Sequence, residues 1–197
     1  MSEKETDQGK RQFLVAATTV AGGVAAGAAA VPFVASMLPS ERAKAAGAPV
    51  EVDLSEIALG ERKTIEWQGK PVWIVRRTKE MLETVRANDG NVVDPDSKKK
   101  MQPAYATNEM RAIKDEYLVV VGICTHLGCS PVEKFAKQAE AFDPNWQGGF
   151  YCPCHGSLFD LAGRVFKNKP APDNLVVPPY KYLSDTRIVI GEDSKGA

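Results

Sequence analysis

All four cysteines and both histidines of this 197-residue chain fall between positions 124 and 155. They make two boxes, Cys124-Thr125-His126-Leu127-Gly128-Cys129 and Cys152-Pro153-Cys154-His155-Gly156-Ser157, each holding two thiols and one imidazole. A fold must therefore bring two distant loops together if these side chains are to act on one centre. Paired thiolate and imidazole ligands suit iron or zinc. A structural zinc site needs four ligands, and the spacings here are tighter than the usual zinc-finger separations. A thiol–disulfide oxidoreductase carries Cys-x-x-Cys, whereas this chain has Cys-x-Cys and Cys-x4-Cys. A metal held between two loops is the favoured reading, with a zinc module and thiol chemistry as rivals.

The second constraint is a run of 26 residues from Phe13 to Leu38 without a charge. As a helix it spans about 39 Å, more than the roughly 30 Å of a bilayer's hydrocarbon core. Its nine Ala and three Gly would let a partner helix approach closely, and Pro32 is expected to end or kink it near the outer side. A cleaved secretory signal is the alternative, with small residues at Ala43-Lys44-Ala45, but a signal core is usually only about 7 to 15 residues. A retained anchor over 13–38 is favoured. Before it, residues 1–12 form a cytoplasmic segment in which Lys10-Arg11-Gln12-Phe13-Leu14 resembles a twin-arginine export signal with Lys in place of the first Arg. Three basic residues before the run (Lys4, Lys10, Arg11) and two after it (Arg42, Lys44) are too evenly divided to set topology. Residues 39–49 read as a polar, flexible hinge.

Residues 50–197 are long enough for one domain with its own core. With 25 basic and 25 acidic residues, the chain lacks the cationic surplus that a nucleic-acid binder needs. The pattern is mostly short strands. Lys63–Trp67 and Pro71–Thr78 flank Gln68-Gly69-Lys70 as a hairpin. Thr78 caps a helix over Lys79–Arg86 whose stripe is Met81, Leu82 and Val85. Residues 88–113 read as a long loop with a helical turn, and Tyr117–Val121 as a buried strand leading to the first box. Further strands are expected near Phe150, Leu158-Phe159, Val165-Phe166, Leu175–Val177 and Arg187–Ile190.

The boxes CTHLGC and CPCHGS resemble those of the Rieske iron-sulfur proteins, and their order makes the resemblance specific. Gly163-Arg164-Val165 and Pro170-Ala171-Pro172 resemble the segments that follow the second box in that family, the latter covering the cluster. With the apolar run and the EWQGKPVWIVRR strand pair, the likeness is to the Rieske subunits of bacterial ubiquinol–cytochrome c oxidoreductases. It implies a mostly β fold, an antiparallel β-sandwich with a small cluster-binding subdomain at about 122–173, plus one transmembrane helix. It also implies one 2Fe-2S cluster, with Cys124 and Cys152 on one iron and His126 and His155 on the other, and a Cys129–Cys154 disulfide. Pro170 and Pro172 belong to the cover.

The chemistry fits the resemblance. Two neutral imidazoles in place of two thiolates make the centre less negative, which raises its potential into a range of about −150 to +300 mV. A quinol then becomes a usable donor. Reduction should raise the affinity of an outward imidazole nitrogen for a proton, so electron and proton uptake are linked. His155 is assigned as the residue that hydrogen-bonds the quinol and accepts its proton, with Leu127 an apolar contact to a partner. Ser157 is placed to donate to cluster sulfur, while Phe159 stands where many relatives have a Tyr donor, which predicts a lower potential. The 130–151 interval contains a polar insert expected to decorate the surface, with Trp146 as its packing anchor. The partners implied are cytochrome b, a c-type cytochrome and ubiquinol, within a dimeric complex. A disulfide persists outside the reducing cytoplasm, so the cluster domain is expected in the periplasm, anchored by a single pass to the bacterial inner membrane. The Rieske subunit of an arsenite-oxidase type enzyme and a soluble oxygenase ferredoxin are the redox rivals.

Overall fold

The computed structural model describes residues 7–193; residues 1–6, including Lys4, and 194–197 lie outside the described residues. The chain forms two compact units, Met1–Ala45 and Ala46–Ala197.

In the first unit, helix α1 covers Gln8–Ser36. Its start is set by Asp7, whose carboxylate accepts the N–H groups of Gly9 and Lys10 and so satisfies two donors that a helix leaves open. The helix consequently begins before the uncharged run. Of the two outcomes expected of Pro32, an end or a kink, the end is excluded: four more helical residues follow. Thr18 and Thr19 return their hydroxyls to the carbonyls of Leu14 and Val15, leaving no open polar group on them. No residue of α1 is buried, and Phe13 and Phe33 are each 72% exposed. Its 29 residues reach about 44 Å. Such an apolar surface needs an apolar surrounding, which suits a membrane anchor. Within 39–49, Ser40 accepts the N–H of Ala43 and a short helix α2 covers Glu41–Ala46.

The second unit is mostly β, built as three small three-stranded antiparallel sheets. Strands β1 (Val50–Asp53), β2 (Arg62–Trp67) and β3 (Lys70–Arg76) come first, followed by α3 (Lys79–Ala87) and β4 (Tyr117–Val121). Then come β5 (Val132–Lys134), β6 (Gly149–Cys152), β7 (Ser157–Phe159), β8 (Tyr180–Tyr182) and β9 (Arg187–Ile190). The sheets have the orders β1-β9-β8, β2-β3-β4 and β5-β6-β7. Gln68 and Gly69, with φ of 53° and 69°, make the two-residue turn between β2 and β3. A turn with both central residues left-handed matches the strand twist. Thr78 caps α3 through the N–H of Met81, and Met81 and Val85 are buried. All five residues of β4 are buried, and its pairing with β3 puts a Val/Ile/Leu layer at the centre of the domain.

Two strand expectations are corrected. Leu175–Val177 is a loop: the N–H of Leu175 bonds Gly163, the Val176 carbonyl serves Val121, and the N–H of Val177 bonds Met101. Three different partners cannot make a ladder. Val165 and Phe166 form only isolated bridges, to Phe159 and Val92. Strands β1, β5 and β8 are not announced by the sequence; they are only three or four residues long, too short for alternation to show. The 130–151 interval is also more than decoration. It supplies β5 to the sheet that carries the second box, and Trp146, 1% exposed, packs with Leu158 and Phe166 while its indole N–H bonds the Lys134 carbonyl.

A buried polar layer braces the long loops. Arg77, Arg111, Arg164 and Asp160 are all at most 1% exposed. Arg77 donates to the carbonyls of Asp115, Met110 and Leu161, and Arg111 to those of Ala162, Gly163 and Leu175. Burial pulls both guanidinium groups down to about 10, opposed by the charge of Asp160. They therefore remain cations at neutral pH, tying 102–115 and 161–175 to the end of β3.

Candidate metal centre

The two boxes fold alike. β4 leads through Gly122 into the first, and the β6–β7 hairpin carries the second. Gly122 is required at its position, because an added Cβ would lie 2.2 Å from the Trp73 ring. Trp73 in turn stacks on Phe150 at 5.0 Å. In the first loop the N–H of Gly128 bonds the Cys124 carbonyl and the N–H of Cys124 bonds that of Cys129. In the second, the N–H of Gly156 bonds the Cys152 carbonyl. The two loops are joined by a disulfide between Cys129 and Cys154.

This leaves Cys124 and Cys152 as free thiols, each 2% exposed. The rings of His126 and His155 meet edge to face, 4.7 Å between centroids. Nδ1 of His126 is buried without a hydrogen-bond partner. A buried polar nitrogen with no partner is costly unless something fills its lone pair. Burial also pushes the Cys152 thiol up, with Cys124 beside it adding to the effect. Two adjacent buried sulfurs become stable thiolates only with cations to pair them. The donor set therefore fits a cationic centre with sulfur and imidazole ligands. The Sγ atoms of Cys129, Cys152 and Cys154 also lie within 4.8 Å of one another, but two of these are spent in the disulfide and cannot ligate as thiolates.

The surroundings follow the same division between closed and open. Ser157, fully buried, accepts the Ala171 N–H at 3.0 Å, which leaves its own hydroxyl proton for another acceptor. Thr125 donates to the Asp173 carbonyl at 2.6 Å, fastening the first loop to the Pro170–Pro172 segment. Sequence reasoning points to that segment but not to Thr125, whose partner lies 48 residues away. Phe159 is fully buried in the main core. Pro170 and Pro172 are exposed, as is His155, while His126 is half-buried and Leu127 stands 71% exposed beside it.

Comparison with known proteins agrees with this geometry. The model of the Rieske [2Fe-2S] domain matches residues 49–181, and that described as the TAT signal of the ubiquinol–cytochrome c reductase Fe-S subunit matches residues 1–40. The ubiquinol-cytochrome c reductase iron-sulfur subunit of Allochromatium vinosum is 55% identical over 197 residues, covering 100% of this chain and 95% of that protein. The subunit of the same name from Bradyrhizobium diazoefficiens is 44% identical over 92% of this chain and 94% of its own length. That from Rhodospirillum rubrum is 42% identical over 94% and 93%. A buried pair of thiols, a crossed pair of imidazoles and a disulfide between their loops thus sit in a chain that belongs to the Rieske [2Fe-2S] family, as an iron-sulfur subunit of ubiquinol–cytochrome c reductase, complex III.

Proposed function

We propose that within complex III this subunit takes electrons singly from ubiquinol, which meets it at His155, and delivers them to a c-type cytochrome. The observation that carries the reading is the one-sided closure of the centre: Cys124 and Cys152 are shut away from water while His155 and Leu127 face out. Cys124 and Cys152 would hold one iron and His126 and His155 the other. Bound there, the cluster supplies a one-electron acceptor whose imidazole ligands raise its potential to the range of about −150 to +300 mV. The exposed ring of His155 would bind and orient the quinol hydroxyl and take its proton at the ring nitrogen not used as a ligand. Leu127 supplies the apolar contact that excludes water as the tip meets cytochrome b. Ser157, whose oxygen already accepts the Ala171 N–H, would have its hydroxyl proton free for a cluster sulfur and would favour the more negative state.

In this reading residues 1–12 are cytoplasmic, 13–38 cross the inner membrane once, and 39–49 are the hinge of a head that moves between partners. The cluster-binding part, about 122–173, then works in the periplasm, within a dimeric complex. The disulfide supports that compartment.

The test is electron paramagnetic resonance on the assembled complex. Cys124→Ser, Cys152→Ser, His126→Asn and His155→Asn should each abolish the reduced-cluster signal, and Cys129→Ser should retain a weaker one. Added ubiquinol should perturb the wild-type signal. An unperturbed spectrum would remove His155 as the quinol contact.

A further inference from the structure

The segment over the metal centre has no strand or helix of its own, so side chains must hold it. Two of its ties are to the ligand loops: Ala171 N–H to Ser157 and the Asp173 carbonyl to Thr125. The third comes from far away in sequence. The ammonium of Lys99 donates to the Pro172 carbonyl at 3.0 Å and to Oδ1 of Asp173 at 2.6 Å.

Lys99 is delivered there by a fixed turn. The carboxylate of Asp94, 9% exposed, accepts the N–H groups of Lys98 and Lys99, each at 2.9 Å. Gln102 donates to the Lys99 carbonyl at 2.7 Å. The same turn reaches the cover a second time, since Asn174 donates to the Asp94 carbonyl at 3.2 Å and accepts the Val165 N–H. The neighbouring lysines do not reach the cover. Lys98 pairs with Asp96 at 2.8 Å, and Lys100 makes no ion pair among the described residues.

We propose that Lys99 is a positioning residue for the metal centre, latching Pro170–Asp173 over both ligand loops. The proposal rests on the ligand assignment above. One ammonium reaches a carbonyl and a carboxylate at once, and the carbonyl of that same Asp173 holds Thr125, which lies between Cys124 and His126. A lone ion pair with side chains 50% and 30% exposed contributes little. Built on a buried turn and coupled to two further hydrogen bonds, it adds to a segment otherwise held by Ala171, the Asp173 carbonyl and the neighbouring Asn174. It also neutralises Asp173, whose charge would otherwise stand uncompensated next to the first ligand loop and oppose reduction of the centre.

The experiment uses the assembled complex carrying Lys99→Met, Lys99→Arg, Lys99→Met with Asp173→Asn, and Lys100→Met as control. Amide hydrogen exchange at Ala171, Asp173 and Asn174 should become about fivefold faster in Lys99→Met, the scale expected for losing one such anchor, and Lys99→Arg should restore it. The midpoint potential should fall in Lys99→Met and recover when Asp173→Asn is added, while exchange stays fast. Unchanged exchange, faster exchange with an unmoved midpoint, or an equal effect from Lys100→Met would each overturn the proposal. Failure of the ligand assignment shows separately, as ligand substitutions that leave the cluster signal of the otherwise wild-type complex intact.

Discussion

Gly128 and Gly156 close the two ligand loops identically, each returning its N–H to the carbonyl of the cysteine four residues earlier, at 3.1 and 2.9 Å. Both have left-handed backbones, with φ of 84° and 75°. A Cβ at either would meet nothing within 4 Å. Their requirement for glycine is therefore conformational, whereas that of Gly122 beneath Trp73 is steric. Gly128→Ala or Gly156→Ala should cost about 1 kcal/mol, and Gly122→Ala up to about 3 kcal/mol. Denaturant unfolding of the detergent-solubilised subunit measures both, and equal losses at all three sites would contradict the distinction.

Asp160 and Arg164 form an ion pair at 2.8 Å with both side chains at 0% exposure. Asp160 also accepts the N–H groups of Ala162 and Arg164, and Arg164 reaches Asp89 and the carbonyls of Pro95 and Val85. Removing one partner strands a buried charge. Asp160→Asn should destabilise the domain by about 3 kcal/mol, since Arg77 and Arg111 lose the same counter-charge. Joined with Arg164→Met, it should cost less than the sum of the two single losses. An additive double-mutant cycle would show that the pair does not act as a unit.

Phe159 brings a full aromatic ring into the core but no hydroxyl. Phe159→Tyr should raise the midpoint potential by about 60 mV, the equivalent of one added hydrogen bond of about 1.4 kcal/mol to the reduced state. An unchanged midpoint in a redox titration would mean that Phe159 serves packing alone.

Burial pushes the Tyr180 phenol up to about 12, partly countered by the Ile113 N–H that its oxygen accepts. An unfolded tyrosine ionises near 10, so between about pH 10 and 12 the unfolded state holds fewer protons than the native state. Stability should be unaffected by this group below pH 10 and fall on the order of 2 kcal/mol across that window. Tyr182 is raised by burial as well and adds to the same alkaline loss. Tyr180→Phe should flatten the decline in melting temperature from pH 10 to 12. The wild-type slope persisting in that variant would assign the alkaline loss elsewhere.

The hairpin at Gln68-Gly69, the Thr78 cap and the buried β4 strand are legible in the sequence because each depends on residues within a few positions of one another. The metal boxes are legible for the same reason: ligand type and spacing are local. The loop at Leu175–Val177 reads as a strand because an apolar run reports burial, and burial does not say whether its backbone partners form a ladder. Pro32 reads as an end or a kink because its ring removes one backbone donor, and the sequence does not say which; the helix runs on to Ser36, so the end is excluded.

What the sequence alone determined is the inventory: an anchor-length apolar helix, a mostly β domain, and two loops bearing thiols and imidazoles. Only the tertiary structure decided which of those groups are free and what braces them. It paired Cys129 with Cys154, left Cys124 and Cys152 buried and unbridged, and buried Nδ1 of His126 without a partner. It also seated Arg77 and Arg111 on carbonyls as far as 84 and 64 residues away. The physical reason is that every residue offers the same carbonyl, so a cation that chooses carbonyl partners leaves no complementary side chain in the sequence to announce them.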